Sequence, residues 1–128
     1  MLKRVLIANR GEIALRIIRA CRELGVETVA VWSQADESSL HAQLATRSLC
    51  IGPARAADSY LNQDAILSAA LATGCDALHP GYGFLSDTPD LAARCVLAGL
   101  KYIRPDAEVI RKLGSKSAAR TLAQQAGV

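Results

Sequence analysis

Lys3-Arg4-Val5-Leu6-Ile7-Ala8 is followed at once by Asn9-Arg10-Gly11-Glu12-Ile13-Ala14-Leu15-Arg16-Ile17-Ile18-Arg19-Ala20-Cys21-Arg22-Glu23-Leu24-Gly25. The first six residues form an aliphatic, β-branched run, which reads as a buried strand. Asn9-Arg10-Gly11 is turn chemistry. Over residues 12–24 the period changes: Ile13, Ile17, Ala20, Cys21 and Leu24 recur at helical spacing, with Arg16, Arg19, Arg22 and Glu23 on the other side of the wheel. Gly25 is the expected stop. A strand handed straight to an amphipathic helix is half of a βαβ unit, and residues 26–32, Val-Glu-Thr-Val-Ala-Val-Trp, supply the second strand.

The same alternation continues. Ser33-Gln34-Ala35-Asp36 is a turn before a short helix at 38–46, and residues 49–51 are a small strand closed by Gly52-Pro53. Asp58-Ser59 offers a cap for a helix over 60–73 that is apolar nearly all round. Residues 76–79 are the next strand, 80–87 a glycine-rich loop, and 89–97 a helix with Thr88 as its cap and Pro89 in its first turn. A last strand is expected over 101–104, then helices at 106–113 and 116–126 broken at Gly114-Ser115. Strands alternating with helices through short connections require a mostly parallel sheet covered on both faces, so the class is α/β. Right-handed crossovers bring the carboxyl ends of the strands to one edge, which places Asn9-Arg10-Gly11, Trp32-Ser33 and the 79–86 loop together.

Composition narrows the function classes. The chain has 128 residues, 51% hydrophobic and 21% charged, with a net charge of +3, so it is long enough for one real core and too weakly basic to argue for nucleic acid. Cys21, Cys50, Cys75 and Cys95 form no C-x-x-C pair and have only His41 and His79 to join them, which removes zinc-finger and thioredoxin-type readings. Reduced thiols in a cytosolic setting are the expectation. The amino-terminal apolar run is far shorter than a signal peptide, and no stretch nears the roughly 18 residues of a membrane span.

Two nucleotide motifs fail on inspection. The turn at 8–13 has only Gly11 where a dinucleotide fingerprint needs three glycines, and Gly114-Ser115-Lys116-Ser117 lacks the upstream glycine and strand of a P-loop. His79-Pro80-Gly81-Tyr82-Gly83-Phe84-Leu85-Ser86-Asp87 is the most unusual segment: its glycines allow close ligand approach, and Tyr82 and Phe84 can present ring surface. The competing reading is a strand-to-helix turn with Phe84 plugging the core and His79 hydrogen-bonded. Arg10, Arg16, Arg19 and Arg22 are either a solvated face or, with Glu23, reciprocal charge pairs across a two-fold contact. Lys116 opens a helix, where a cation opposes the dipole.

Taken together, Ile7-Ala8-Asn9-Arg10-Gly11-Glu12-Ile13-Ala14 and His79-Pro80-Gly81-Tyr82-Gly83-Phe84-Leu85-Ser86 resemble the N-terminal domain of biotin carboxylase, the ATP-grasp component of acetyl-CoA, propionyl-CoA and pyruvate carboxylases. The likeness extends through Ala35-Asp36, Cys50-Ile51-Gly52-Pro53, Ser59-Tyr60-Leu61-Asn62 and Gly114-Ser115-Lys116. It implies a Rossmann-like three-layer α/β/α domain with a mostly parallel sheet over 1–114 and the start of the ATP-grasp region over 115–128. It implies a ligase in which ATP and bicarbonate give carboxyphosphate, whose carbon dioxide passes to the ureido nitrogen of biotin on a separate carrier. ATP, magnesium and biotin belong to the intact enzyme, with none expected on this chain alone.

By the same resemblance Lys116 matches an ATP-contacting lysine, Tyr82 and Gly83 match the edge of the biotin and carboxyphosphate pocket, and Arg19 and Glu23 match a dimer contact. No catalytic residue and no metal ligand is expected within 1–128. The partners implied are the remainder of the carboxylase, a biotin carrier and a second copy in a cytoplasmic homodimer serving fatty acid biosynthesis, without nucleic acid or membrane. Three positions depart from the family pattern: Arg104 where glycine is usual, Asp87 where glutamate is usual, and Thr88-Pro89-Asp90 at a helix entry. A stand-alone nucleotide-binding or interaction module on the same scaffold is the alternative, as is the leading domain of another ATP-grasp ligase, against which the 79–86 loop argues.

Overall fold

The computed structural model describes residues 2–103. The chain runs β1 (Arg4–Ile7), α1 (Gly11–Glu23), β2 (Glu27–Ser33), a 3-10 turn (Gln34–Asp36), α2 (Leu40–Leu44), β3 (Arg47–Gly52), a 3-10 turn (Ala56–Asp58), α3 (Gln63–Ala72), β4 (Ala77–His79), a 3-10 turn (Phe84–Asp87), α4 (Pro89–Leu97) and β5 (Lys101–Tyr102). All neighbouring strands are parallel, in the order β3-β2-β1-β4-β5. Strand alternation sorts the layers. Leu6 and Ala8 of the first strand segment, Val29 and Val31 of β2 and Leu78 of β4 point to one face, where they pack with Ile66, Leu67 and Ala70 of α3 and Leu91 and Cys95 of α4. Ile7 points to the other face and meets Ala14 and Ile18 of α1, with Leu44 of α2 beside them. The result is three layers, helix on sheet on helix.

At the amino edge of the sheet one device is used three times. After α1 the Val26 N–H bonds to the Cys21 carbonyl at 2.8 Å and the Gly25 N–H to that of Arg22 at 3.1 Å. After α3 the pairs are Cys75 to Ala70 and Gly74 to Leu71, and after α4 they are Leu100 to Cys95 and Gly99 to Val96. Each is the pair of hydrogen bonds that closes a helix through a left-handed glycine. The chain then enters the sheet immediately: the Glu27 N–H reaches Lys3, that of Asp76 reaches Arg4 and that of Lys101 reaches Asp76, each at 3.0 Å.

Three expectations change on contact with the structure. The helix expected over 60–73 begins at Gln63, because Tyr60 is drawn into the core and Asn62, rather than Asp58-Ser59, accepts the Ala65 N–H as the cap. Thr88 occupies the cap position of α4, but its side chain caps no N–H there. The third concerns α1. Its buried residues are Ala14, Leu15 and Ile18, while Ile13, Ile17 and Cys21 are half-buried and Leu24 is 79% exposed. Two apolar stripes run side by side on this helix, and small Ala14 lets the backbone settle closest to β1 along the second of them. The strand end at 104, the helices at 106–113 and 116–126, Lys116 and the 115–128 segment lie outside the described residues.

Candidate functional site at the strand-terminal edge

From β1 the chain turns outward to β2 and β3, then crosses back to β4 and β5, so the direction of winding reverses between β1 and β4. In doubly wound sheets the crevice at the carboxyl ends of such a strand pair is where ligands are taken. Here Asn9 and the 80–87 loop stand at that place, joined by the Ala8 N–H bonding to the His79 carbonyl at 2.9 Å. Asn9, 1% exposed, donates its carboxamide hydrogens to the carbonyls of Pro80 at 2.9 Å and Tyr82 at 2.7 Å. Gly81 between them has φ +67°, and a Cβ there would sit 2.7 Å from Asn9 Nδ2 and 2.8 Å from Ile13 Cγ2. Asn9 is therefore packed between the end of β1 and the loop, while a cavity of about 250 Å³ lined by Arg10, Ser33, Asp36, Tyr60 and Phe84 opens beside it at the same edge.

The far side of the loop is held as firmly. Gly81 donates its N–H to His79 Nδ1 at 3.0 Å, which places the ring proton on Nε2, and burial pushes the His79 pKa down so that the ring stays neutral. The Gly83 carbonyl accepts both the hydroxyl and the N–H of Ser86, at 2.7 and 3.0 Å. Phe84, at φ +48°, is half-buried against the core with its ring 5.4 Å from that of Tyr60. The plug reading of Phe84 and the hydrogen-bonded reading of His79 are the ones the fold adopts. What the loop leaves outward is Tyr82, 41% exposed, and the exposed Gly83 at φ +70°.

A second network ties β1, β2 and the turn after β3. Arg10 grips Asp36 with two parallel bonds, Nε to Oδ2 at 2.6 Å and Nη2 to Oδ1 at 2.7 Å. The Tyr60 hydroxyl donates to Asp36 Oδ2 at 2.7 Å and accepts the Ser33 N–H at 3.1 Å. The arginine bond, against the opposing effect of burial, holds the Asp36 carboxyl down at about 2. Burial and the neighbouring carboxylate push the Tyr60 hydroxyl up to about 12. Both groups keep one charge state across the neutral range. The network is a fixed brace, not a proton donor.

Arg10, Arg16, Arg19 and Arg22 do not act as one patch. Arg10 turns to Asp36, Arg16 pairs with Glu12 at 3.5 Å, and Arg22 donates to the Leu44 carbonyl at 2.8 Å. Arg19 and Glu23 both stand exposed on α1. Beside them the uncovered apolar stripe of that helix, with Val5, His79, Tyr82 and Ile103, lines an open groove of about 650 Å³. Among the described residues no group of three or more His, Cys, Asp or Glu could hold a metal ion, and no helix is long and apolar enough to cross a membrane. Cys50 is exposed, because it lies on β3 at the sheet margin. Asn9, Asp36 and Tyr60 were not singled out by spacing, since their partners lie 24 to 73 residues away.

A parallel sheet wound both ways from a central first strand, with a braced glycine loop at its switch point, defines a Rossmann-like α/β domain. Comparison with known proteins makes this specific. Residues 1–110 match the family described as biotin carboxylase, N-terminal domain, and the chain belongs to that family. It is 56% identical over 128 residues to biotin carboxylase 1 of Bacillus subtilis, covering all of this chain and 28% of that protein. The biotin carboxylase domain dimer of the Hydrogenobacter thermophilus 2-oxoglutarate carboxylase, in complex with MgADP, ADP and bicarbonate, superposes with a TM-score of 0.78 at 42% identity, covering 100% of this chain and 28% of that one. The Kluyveromyces lactis urea carboxylase does so with a TM-score of 0.80 at 43% identity, covering 99% and 11%. The chain thus spans between a quarter and a third of the length of the bacterial biotin carboxylases it matches.

Proposed function

We propose that this chain forms one wall of the active site of an ATP-dependent biotin carboxylase, in which bicarbonate and ATP carboxylate biotin on a carrier. Residues 1–114 are the Rossmann-like domain and 115–128 the entry to the ATP-grasp portion. The observation that carries this reading is the loop at the switch point: Asn9 ties the Pro80 and Tyr82 carbonyls there, while Tyr82 and Gly83 are held outward as a surface. Such an edge shapes a pocket completed by other parts of the enzyme. Magnesium, ATP and bicarbonate are accordingly held mainly outside this domain. Lys116 is the residue of this chain assigned to ATP, where an ammonium suits a phosphate as a point charge.

Arg19 and Glu23 on the exposed side of α1 are assigned to a reciprocal contact in a homodimer, supported by the dimer formed by the Hydrogenobacter thermophilus domain. The groove beside them opens next to Ile103, where the polypeptide continues, and the remainder of the carboxylase is its partner. A cytoplasmic enzyme feeding acyl-CoA carboxylation for fatty acid biosynthesis fits the bacterial relatives. The test has two arms. The isolated chain, titrated calorimetrically with ATP and ADP and assayed for biotin-dependent ATP cleavage, is expected to be silent in both. In the full-length enzyme Tyr82→Ala is expected to raise the KM for free biotin about tenfold, the scale of one lost good contact, and Lys116→Ala to raise the KM for ATP. Turnover by the isolated chain, or substitutions that move neither constant, overturns the reading.

A further inference from the structure

The Asn9 carboxamide is saturated in only one orientation. Its two N–H bonds face the carbonyls of Pro80 and Tyr82, and its Oδ1 accepts the Arg10 N–H at 2.8 Å. An amide supplies two donors at one end and an acceptor at the other, so no other side chain of this size meets all three demands. Aspartate would set an oxygen against two carbonyls. The absence of a side chain at Gly81 is the complement of this fit, since a Cβ there would strike both Asn9 and Ile13. His79 closes the clamp by accepting the Gly81 N–H from the opposite side.

We infer that Asn9 is the positioning residue of the Tyr82–Gly83 wall: by tying the carbonyls of Pro80 and Tyr82 it fixes the stretch of backbone from which the Tyr82 ring projects. The inference rests on the assignment of Tyr82 and Gly83 to the biotin side of the pocket. Asn9 itself, buried beneath the loop, touches no substrate. Its contribution is to hold the wall in one place before biotin arrives, and pre-ordering of this kind appears in the binding constant of the substrate that meets the wall.

The experiment uses the full-length carboxylase with free biotin as the probe. Asn9→Asp is expected to raise the KM for biotin about tenfold, the scale of one to two lost hydrogen bonds, with the KM for ATP unchanged. Amide hydrogen exchange at Gly81 to Gly83 should accelerate while exchange in β1 and β2 does not. Asn9→Ala, which removes the bonds without setting an oxygen against the carbonyls, should show the same split and serves if the aspartate variant does not fold. Equal changes in the biotin and ATP constants, or unaltered exchange across 81–83, would overturn the clamp. A Tyr82→Ala enzyme with an unchanged biotin constant would instead defeat the assignment of Tyr82, and the exchange measurement would still decide the role of Asn9.

Discussion

The two edges of the sheet are built on different principles. At the amino edge three helices end in the same glycine turn and pass the chain into the next strand by the same backbone bonds, to which Asp76, accepting the Lys3 and Arg4 N–H groups, and the Arg4–Glu27 pair are added. At the carboxyl edge the contacts that join distant segments are made by particular side chains: Asn9 to two carbonyls, Arg10 and Tyr60 to Asp36, with His79 bonded to the Gly81 N–H beside them. A turn made by repeated backbone bonds tolerates exchange of its side chains, whereas a contact between single-use partners does not. In doubly wound folds the second kind of edge is where specificity resides.

Paired alanine substitutions should expose that contrast most strongly. At Gly81 the new Cβ meets Asn9 and Ile13 at a positive φ, so Gly81→Ala is expected to cost about 3 kcal/mol, overpacking added to the left-handed backbone. At Gly25 a Cβ meets nothing within 4 Å, and Gly25→Ala should cost about 1 kcal/mol from the backbone alone. Urea denaturation of the two variants reads the difference, and equal losses would erase the distinction between the edges.

A smaller effect is expected within the carboxyl edge. Tyr60→Phe keeps the ring against Phe84 but removes the donor to Asp36 and the acceptor of the Ser33 N–H, for a loss of about 2 kcal/mol. Calorimetric unfolding checks it, and a neutral outcome would mean that the hydroxyl is replaced by water. Within the carboxyl edge the smallest effect is a dependence on pH. Asp36 has a folded-state pKa of about 2 against an ordinary 3.8, so its contribution is complete above the ordinary value and disappears as the pH falls toward 2. Because Arg10 is half-exposed, that contribution is about 1–2 kcal/mol. Asp36→Asn should flatten this part of the acid-unfolding curve, and an unchanged curve would show that other carboxylates carry it.

Much of the amino edge can be read in advance. Gly25, Gly74 and Gly99 each follow a helical period and precede a strand, which is a local pattern with a local cause. The 79–86 loop is also legible as an unusual segment, because glycines alternating with Tyr82 and Phe84 suit neither a helix nor a strand. Asn9 is different. Nothing about one asparagine after a strand announces two carbonyls 71 and 73 residues ahead. The helical wheel of α1 was equally ambiguous, since Ile13-Ile17-Cys21-Leu24 is as apolar a stripe as Ala14-Leu15-Ile18, and only contact with Ile7 selects the second.

By itself the amino-acid sequence determined the alternation of strand and helix, the places where each helix ends and the glycine loop that carries the family likeness, because these depend on backbone preference and on periods shorter than a helix. The tertiary structure decided the reversal of winding between β1 and β4, the stripe of α1 that meets the sheet and the tying of the switch-point loop by Asn9. Those depend on which distant segments become neighbours once the crossovers are made, and a hydrogen bond or an apolar contact acquires its partner only then.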